Sequence, residues 1–256
     1  MRLIRQPRRA SLKQGLTLVC AVVWSCGLGS AVGPAPPASA DLALLFIGNS
    51  LTYVNDLPGM LEALLEEQGG VGDVHVATVA SPNFGLEDHW SIGEARDRIG
   101  RGGWDYVIMQ QGPSATEGRP SLLDYSARFA AEIVAAGARP ALYMVWPQEA
   151  RSFDFDGVLD SYRTAAVQTG GLFFPAGEAW RAAWARQPNL QLYAIDRFHP
   201  SPIGTYTAAV VMYEQLSGRD PMALTGAIPG GPTLTPQAAA AIHAAAVEVN
   251  ALYALP

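Results

Sequence analysis

The sequence predicts an α/β domain: a three-layer α/β/α sandwich around a mainly parallel five-stranded sheet. Three observations carry that expectation. Short apolar runs alternate with longer stretches at helical spacing from Asp41 onward. Most successive runs are separated by a helix-length stretch, which parallel strands require of their crossovers. The first run, Leu42–Ile47, is apolar without alternation, as a strand covered on both faces should be.

The elements follow in order. Strand Leu42–Ile47 ends at Gly48-Asn49-Ser50. Leu57–Gln68 repeats Leu57, Met60, Leu61, Leu64 and Leu65 at helical spacing and stops at Gly69-Gly70. Val74–Val79 alternates with period two and is the second strand. Ser81–Gly85 is a loop and Leu86–Ile99 an amphipathic helix. Trp104–Met109 is the third strand, closed by Gln110-Gln111-Gly112-Pro113. A helix over about Ser121–Ala136 ends at Gly137. Ala141–Trp146 is the fourth strand, ended by Pro147, and Val158–Thr169 a helix stopped by Gly170-Gly171. Leu172–Phe174 is a short fifth strand and Gly177–Arg186 a short helix. Loop Ile195–Pro202 precedes helix Ile203–Leu216. Pro221–Pro236, rich in Pro and Gly, reads as a mobile or strap-like segment before a last alanine-rich helix ending near Tyr253. There is no internal repeat and no interior linker.

Residues 1–40 read as an export signal. Arg2, Arg5, Arg8, Arg9 and Lys13 come first without an acidic residue. An apolar run from about Leu16 to Val32 follows, then a Pro-rich stretch to Ala38-Ser39-Ala40, an A-x-A cleavage pattern. Arg8-Arg9-Ala10-Ser11-Leu12-Lys13 is similar to a twin-arginine signal, with a serine where an aromatic or apolar residue is usual. The apolar run is broken by Gly27, Gly29 and Gly33, and falls below the ~20 residues of a membrane span. Val19 and Trp24 break the small-residue pattern that a lipoprotein cysteine would need. The expectation is cleavage near Ala40. Residues 41–256 would then be one exported domain, periplasmic or extracellular, long enough to bury a core unaided.

Composition excludes whole classes of function. Cys20 and Cys26 both lie in the signal, so disulfides, zinc–thiolate sites and a cysteine nucleophile are out for the mature domain. The only lysine is Lys13, which removes Schiff-base chemistry and P-loop phosphate binding. Without the signal, 12 basic residues face 23 acidic ones, a net charge of −11. That charge argues against nucleic acid, against anionic lipid and against stable membrane insertion. The four histidines lack metal-ligand spacing, and no metal or organic cofactor is implied.

The unusual residues collect in loops at predicted strand ends. Ser50 follows a buried strand, where open α/β sheets carry their ligand crevice. It is either a nucleophile or, like Thr52, a helix cap. Asp196 and His199, three apart on a tight turn, can place a carboxylate behind an imidazole whose other nitrogen faces a serine. Together the three make a candidate triad in Ser…Asp…His order. Loop Ser81–Gly85, with Asn83 and Gly85, can offer backbone N–H groups to an oxyanion. Gln110 and Gln111 can offer side-chain amides, or can satisfy loop carbonyls instead. Such donors typically contribute about 2.7–4 kcal/mol each to a transition state. His89 fits an orienting role in the second loop, and His75 and His243 structural ones. Tyr53, Trp90, Trp146 and Trp180 are candidates for a sugar- or acyl-stacking surface, with core packing the stronger reading for each.

Gly48-Asn49-Ser50-Leu51 resembles block one of the SGNH (GDSL-like) hydrolases, with Asn for the usual Asp. Asp196-Arg197-Phe198-His199 resembles their final D-x-x-H block. Further motifs are similar to a branch of that superfamily carried as a domain of unknown function. They are Phe46–Ser50, Asn55-Asp56-Leu57-Pro58, Leu86–His89, Trp104–Val107, Gly177–Trp180, and His199-Pro200-Ser201 with Gly204-Thr205-Tyr206. The resemblance spans most of residues 42–216. It implies the SGNH/flavodoxin-like fold, Ser50 as nucleophile and oxyanion N–H donor, His199 as general base and Asp196 as its partner. Either Asn83 or Gly85 matches the block-two glycine. The G-x-N-D block is absent, and Gln110-Gln111 occupies its strand end, with glutamine expected to substitute.

The expected function is ester hydrolysis through an acyl-enzyme, on a small-molecule or carbohydrate ester with a short acyl group. The sequence offers no long apolar lid, which disfavours a lipase for long chains. The alternatives are a non-catalytic carbohydrate-binding domain on the same fold and an acyltransferase. Oligomeric state and natural ester are left open by the sequence.

Overall fold

The structure is a computed structural model that describes residues 33–255; the greater part of the predicted export segment therefore lies outside the described residues. Strands β1 (Leu42–Gly48), β2 (Val74–Ala80), β3 (Tyr106–Met109), β4 (Arg139–Tyr143) and β5 (Leu172–Phe174) form one sheet. Its order is β2-β1-β3-β4-β5, and every ladder is parallel. The chain leaves β1 outward to β2, then crosses back to β3 on the other side. The switch point between β1 and β3 is where such sheets open a crevice for ligands.

Register decides what that crevice collects. Gly48 pairs with Ala80, and Ile47 with Met109. The C-terminal ends of the three strands therefore finish level, and their following loops emerge side by side. All seven residues of β1 are buried, since the strand lies between two neighbours and under helices on both faces.

The helices are α1 (Ser50–Tyr53), α2 (Leu57–Glu67), α3 (Leu86–Ile92), α4 (Glu94–Gly100), α5 (Arg119–Ala135), α6 (Phe155–Thr169), α7 (Ala176–Arg186), α8 (Pro202–Ser217) and α9 (Pro236–Leu252). α2, α7, α8 and α9 pack together as one layer, and α3 to α6 as the other. Helix α2 buries the five predicted residues, Leu57, Met60, Leu61, Leu64 and Leu65, along one stripe. Ser201 caps α8 through Gly204 N–H, and Thr235 caps α9 through Ala238 N–H.

Two elements depart most from the expectation. The predicted helix Leu86–Ile99 is two helices, because Gly93 sits at φ 91°, which no right-handed helix can carry through. Strand β4 begins at Arg139, two residues early, since Pro140 lies near the strand start, where a missing N–H is tolerated. Met144–Trp146 stay buried but leave the ladder. The segment after α8 is a strap: Leu224 and Ile228 are buried, and Thr225 N–H donates to Gln68 Oε1. Among the described residues no helix is long and apolar enough to cross a membrane.

His243 in α9 is buried and hydrogen-bonded to the Tyr206 hydroxyl at 2.8 Å. Burial lowers its pKa to about 4. The unfolded chain, with its ordinary pKa near 6.5, therefore takes up the proton first as pH falls. Stability should be flat above pH 6.5 and decline towards pH 4, by about 2 kcal/mol from this residue at pH 4.5. Urea midpoints of the protein and of His243→Gln at pH 7 and pH 4.5 check this: their difference must shrink at the lower pH. An unchanged difference rejects the assignment.

Candidate active site

The Gly48-Asn49-Ser50 turn is built by three side chains. A Cβ on Gly48 would collide with Thr52 Oγ1 and Gln110 Oε1, so only glycine lets the chain pass. Asn49 caps α1: its Oδ1 accepts from Leu51 N–H at 3.0 Å, and its Nδ2 donates to the Phe84 carbonyl at 2.9 Å. Neither Ser50 nor Thr52 is the cap. Ser50 is thereby the first residue of α1, with its hydroxyl free to point elsewhere. Among the described residues its backbone N–H has no hydrogen-bond acceptor, as is usual in a first helical turn.

The hydroxyl meets the late loop. His199 Nε2 lies 2.8 Å from Ser50 Oγ, and His199 Nδ1 lies 2.6 Å from Asp196 Oδ2. The second oxygen, Asp196 Oδ1, accepts from the backbone N–H groups of Phe198 and His199 at 3.0 and 2.9 Å. The hydrogen bond from His199 holds the Asp196 carboxyl below its usual range, with Phe198 N–H adding to it. Arg197 takes a left-handed φ of 60° so that Asp196 and His199 share one side of the turn. Ser50 and His199 are partly exposed, and Asp196 is exposed.

This loop is pinned from several elements. Trp146 Nε1 donates to the Phe198 carbonyl at 3.0 Å, and Tyr193 hydroxyl to the Pro147 carbonyl at 2.6 Å. Asn55, at φ 58°, donates through Nδ2 to the carbonyl of Pro200 and to Thr205 Oγ1, both at 2.9 Å. It ties the segment after Ser50 to the residue after His199. Trp146 and Trp180 are fully buried and stacked, 3.5 Å between centroids. Trp90 packs on Phe129 under the Arg96 guanidinium. These three tryptophans are core and support, as the packing reading has it.

The two glutamines correct the expectation of side-chain oxyanion donors. Gln110 is fully buried: its Oε1 accepts from Asn49 N–H and Thr52 hydroxyl, and its Nε2 donates to Asn49 Oδ1 and the Gln111 carbonyl. Gln111 lines the cleft, but its Nε2 is spent on Ser114 Oγ and the Gly118 carbonyl, and its Oε1 accepts from Leu86 N–H. Neither amide has an N–H to spare. Both instead stitch the ends of β1 and β3 to the loop before α3, the loop-satisfying alternative.

The second loop divides likewise. Gly85 lines the cleft, but its N–H is taken by Asp88 Oδ2 at 2.8 Å. Asn83 lines it at a left-handed φ of 62°, and among the described residues neither its N–H nor its amide has a protein partner. His89 is buried, and its Nε2–H donates to the Gly48 carbonyl at 2.8 Å. Burial lowers its pKa, which keeps the ring neutral there. It orients the first turn from the second loop.

Ser50, Asn83, Gly85 and Gln111 thus share one open cleft of about 360 Å³, with Phe198 at its edge. A larger cavity, about 650 Å³, is lined by Trp184, Tyr193, Ile195 and Arg197 but by none of Ser50, Asp196 and His199. The sequence did not mark Thr52, Asn49 and Asn55 as site residues, and it marked Trp146 only as a stacking candidate, not as a tie on the His199 loop. Of these only Asn49 and Asn55 fall in a motif, and the motif does not say what they touch.

No family model and no curated protein matches the chain. Solved structures do. A candidate SGNH hydrolase from Slackia heliotrinireducens is 26% identical, with a TM-score of 0.58, over 68% of this chain and 98% of its own. A DUF4886 family protein from Bacteroides uniformis is 19% identical, with a TM-score of 0.63, over 83% of this chain and 95% of its own. An acetyl-xylooligosaccharide esterase from Geobacillus stearmophilus is 19% identical, with a TM-score of 0.50, over 70% of this chain and 95% of its own. The Slackia neighbour supports a hydrolase of the SGNH type, and the other two share its fold.

Proposed function

We propose that this chain, whose fold is that of the SGNH hydrolase superfamily, is an exported serine esterase acting on short-acyl or carbohydrate esters. One observation carries the reading: the unbroken hydrogen-bonded series Ser50 Oγ, His199, Asp196, with its serine open to the cleft. Ser50 Oγ attacks the acyl carbon while His199 Nε2 takes its proton, and the developing imidazolium is stabilised by Asp196. The oxyanion accepts the free N–H of Ser50, with Asn83 as the second donor. His199 then protonates the alcohol oxygen as its bond to carbon breaks. Water, deprotonated by His199, adds to the acyl carbon and releases the acid and Ser50.

The open cleft admits water to the acyl-enzyme, which favours hydrolysis over transfer to a sugar hydroxyl. A cleft of this size and exposure suits a short acyl group. The substrate of the Geobacillus neighbour does not carry over at 19% identity, since only the fold is shared.

A fluorophosphonate probe tests the reading directly. It should lose fluoride to one serine, and peptide mass mapping should place the phosphonyl group on Ser50. Labelling at another serine, or none, rejects Ser50 as nucleophile.

A further inference from the structure

The cleft at Ser50 does not end at Phe198. A second cavity, about 190 Å³, shares Phe198, Pro113, Ser114 and Gly118 with it and continues to Gln148 and Arg151. The two adjoin as two halves divided by those shared residues, the half-buried Phe198 among them. Their linings differ. The first half carries the loop of Asn83 and Gly85 and the Ser50 N–H; the second has none of these.

Mechanism tells the halves apart. The oxyanion of a bound ester faces the N–H donors, whereas its alcohol oxygen must face His199 Nε2, which protonates it. Phe198 is the chain neighbour of His199, and their rings lie edge to face at 5.2 Å. The cavity beyond Phe198 is therefore on the alcohol side.

Its lining sets polar side chains beside apolar ones such as Pro113, Pro147 and Phe198. Arg151 spends Nε on Asp154 Oδ2 at 2.6 Å, and among the described residues its Nη1 and Nη2 have no protein partner. Glu117 sits in the same lining, and the Thr116 hydroxyl donates to its carboxylate. An aliphatic alcohol would strip water from these groups without replacing its hydrogen bonds. A hydroxylated ring can satisfy them while its C–H face lies on Phe198.

We propose that the cavity beyond Phe198 is the subsite for the alcohol portion of the ester and takes a carbohydrate-like, hydroxyl-bearing group. This rests on the esterase reading and adds to it where the sugar lies and which side chains select it: Arg151 and Gln148 by hydrogen bonds, Phe198 by stacking.

Two acetates of similar shape separate this from a general effect: a mono-O-acetyl methyl glucoside and cyclohexylmethyl acetate, which lacks the hydroxyls. The ratio of their kcat/KM values should favour the sugar ester in the unaltered protein. It should fall at least tenfold in Arg151→Ala, through KM, and partly recover in Arg151→Lys. A ratio that is unchanged in both Arg151→Ala and Gln148→Ala overturns the subsite, even if both esters are hydrolysed and the esterase reading stands. Binding of the sugar acetate to the inert Ser50→Ala protein, followed by saturation-transfer NMR, is a readout without turnover. Added Arg151→Ala should weaken that binding tenfold; equal binding in both proteins also overturns the proposal.

Discussion

Ser50→Ala is expected to lower kcat for p-nitrophenyl acetate by about 10⁴–10⁶-fold, with little change in KM or melting temperature. The hydroxyl's hydrogen-bond partner among the described residues is His199 Nε2, and the residue is only partly buried. Its removal leaves no cavity and strands no buried donor, so the fold should not register it. The turn itself is held by Asn49, Thr52 and Gln110, all untouched. His199→Ala should fall to the same floor rather than add to it, because the two act as one unit. Initial rates of the two single variants and the double variant check both statements. A Ser50→Ala protein within tenfold of the original activity would end the triad assignment.

Asp196→Asn is expected to cost about 10⁴-fold in kcat while folding almost normally. Asp196 Oδ1 accepts two backbone N–H groups, so an asparagine keeps its oxygen there and turns its NH₂ towards His199 Nδ1. That nitrogen must then be the acceptor, and the proton moves to Nε2, the atom that should receive the serine proton. The defect is one of tautomer, so the Ser50–His199 separation can remain near 2.8 Å. Asp196 is exposed, and the loop keeps its other ties from Trp146, Tyr193 and Asn55, which limits the loss of stability. The lowered carboxyl pKa has a definite sign: its stabilising contribution is present above the ordinary aspartate range and is lost as pH falls through the lowered value. Steady-state kinetics with thermal melts at pH 7 and pH 3.5 separate the two effects. A variant with kcat within tenfold of the parent would show that Asp196 does not set the tautomer.

Much of the fold was legible because it is written in local periodicity. The unalternating run of β1 and the leucine stripe of α2 each reflect burial by neighbours on known faces. The strands appear where they were expected to within three residues, the largest shift being the end of β4. The break at Gly93 was not legible, since a glycine inside a helical pattern is compatible with both helical and left-handed backbone.

The site divides in the same way. Ser50 at a strand end, and Asp196 three residues before His199, are short-range arrangements of chemically distinctive side chains, and their order in the chain sufficed to pair them. The tie from Asn55 to Pro200 spans 145 residues and has no local signature. The glutamines are the sharper case. A glutamine at a strand end can donate to a ligand or to a carbonyl, and its sequence position is the same in both. Which one it does depends on whether other atoms already hold its two N–H groups. For Gln110 those atoms come from Asn49 and Gln111, and for Gln111 from Ser114 and Gly118. The sequence alone determined the α/β layering and the residues able to do acyl chemistry. Tertiary structure alone decided which donors remain free at the cleft, because hydrogen-bonding capacity is consumed by whatever the fold brings within 3 Å.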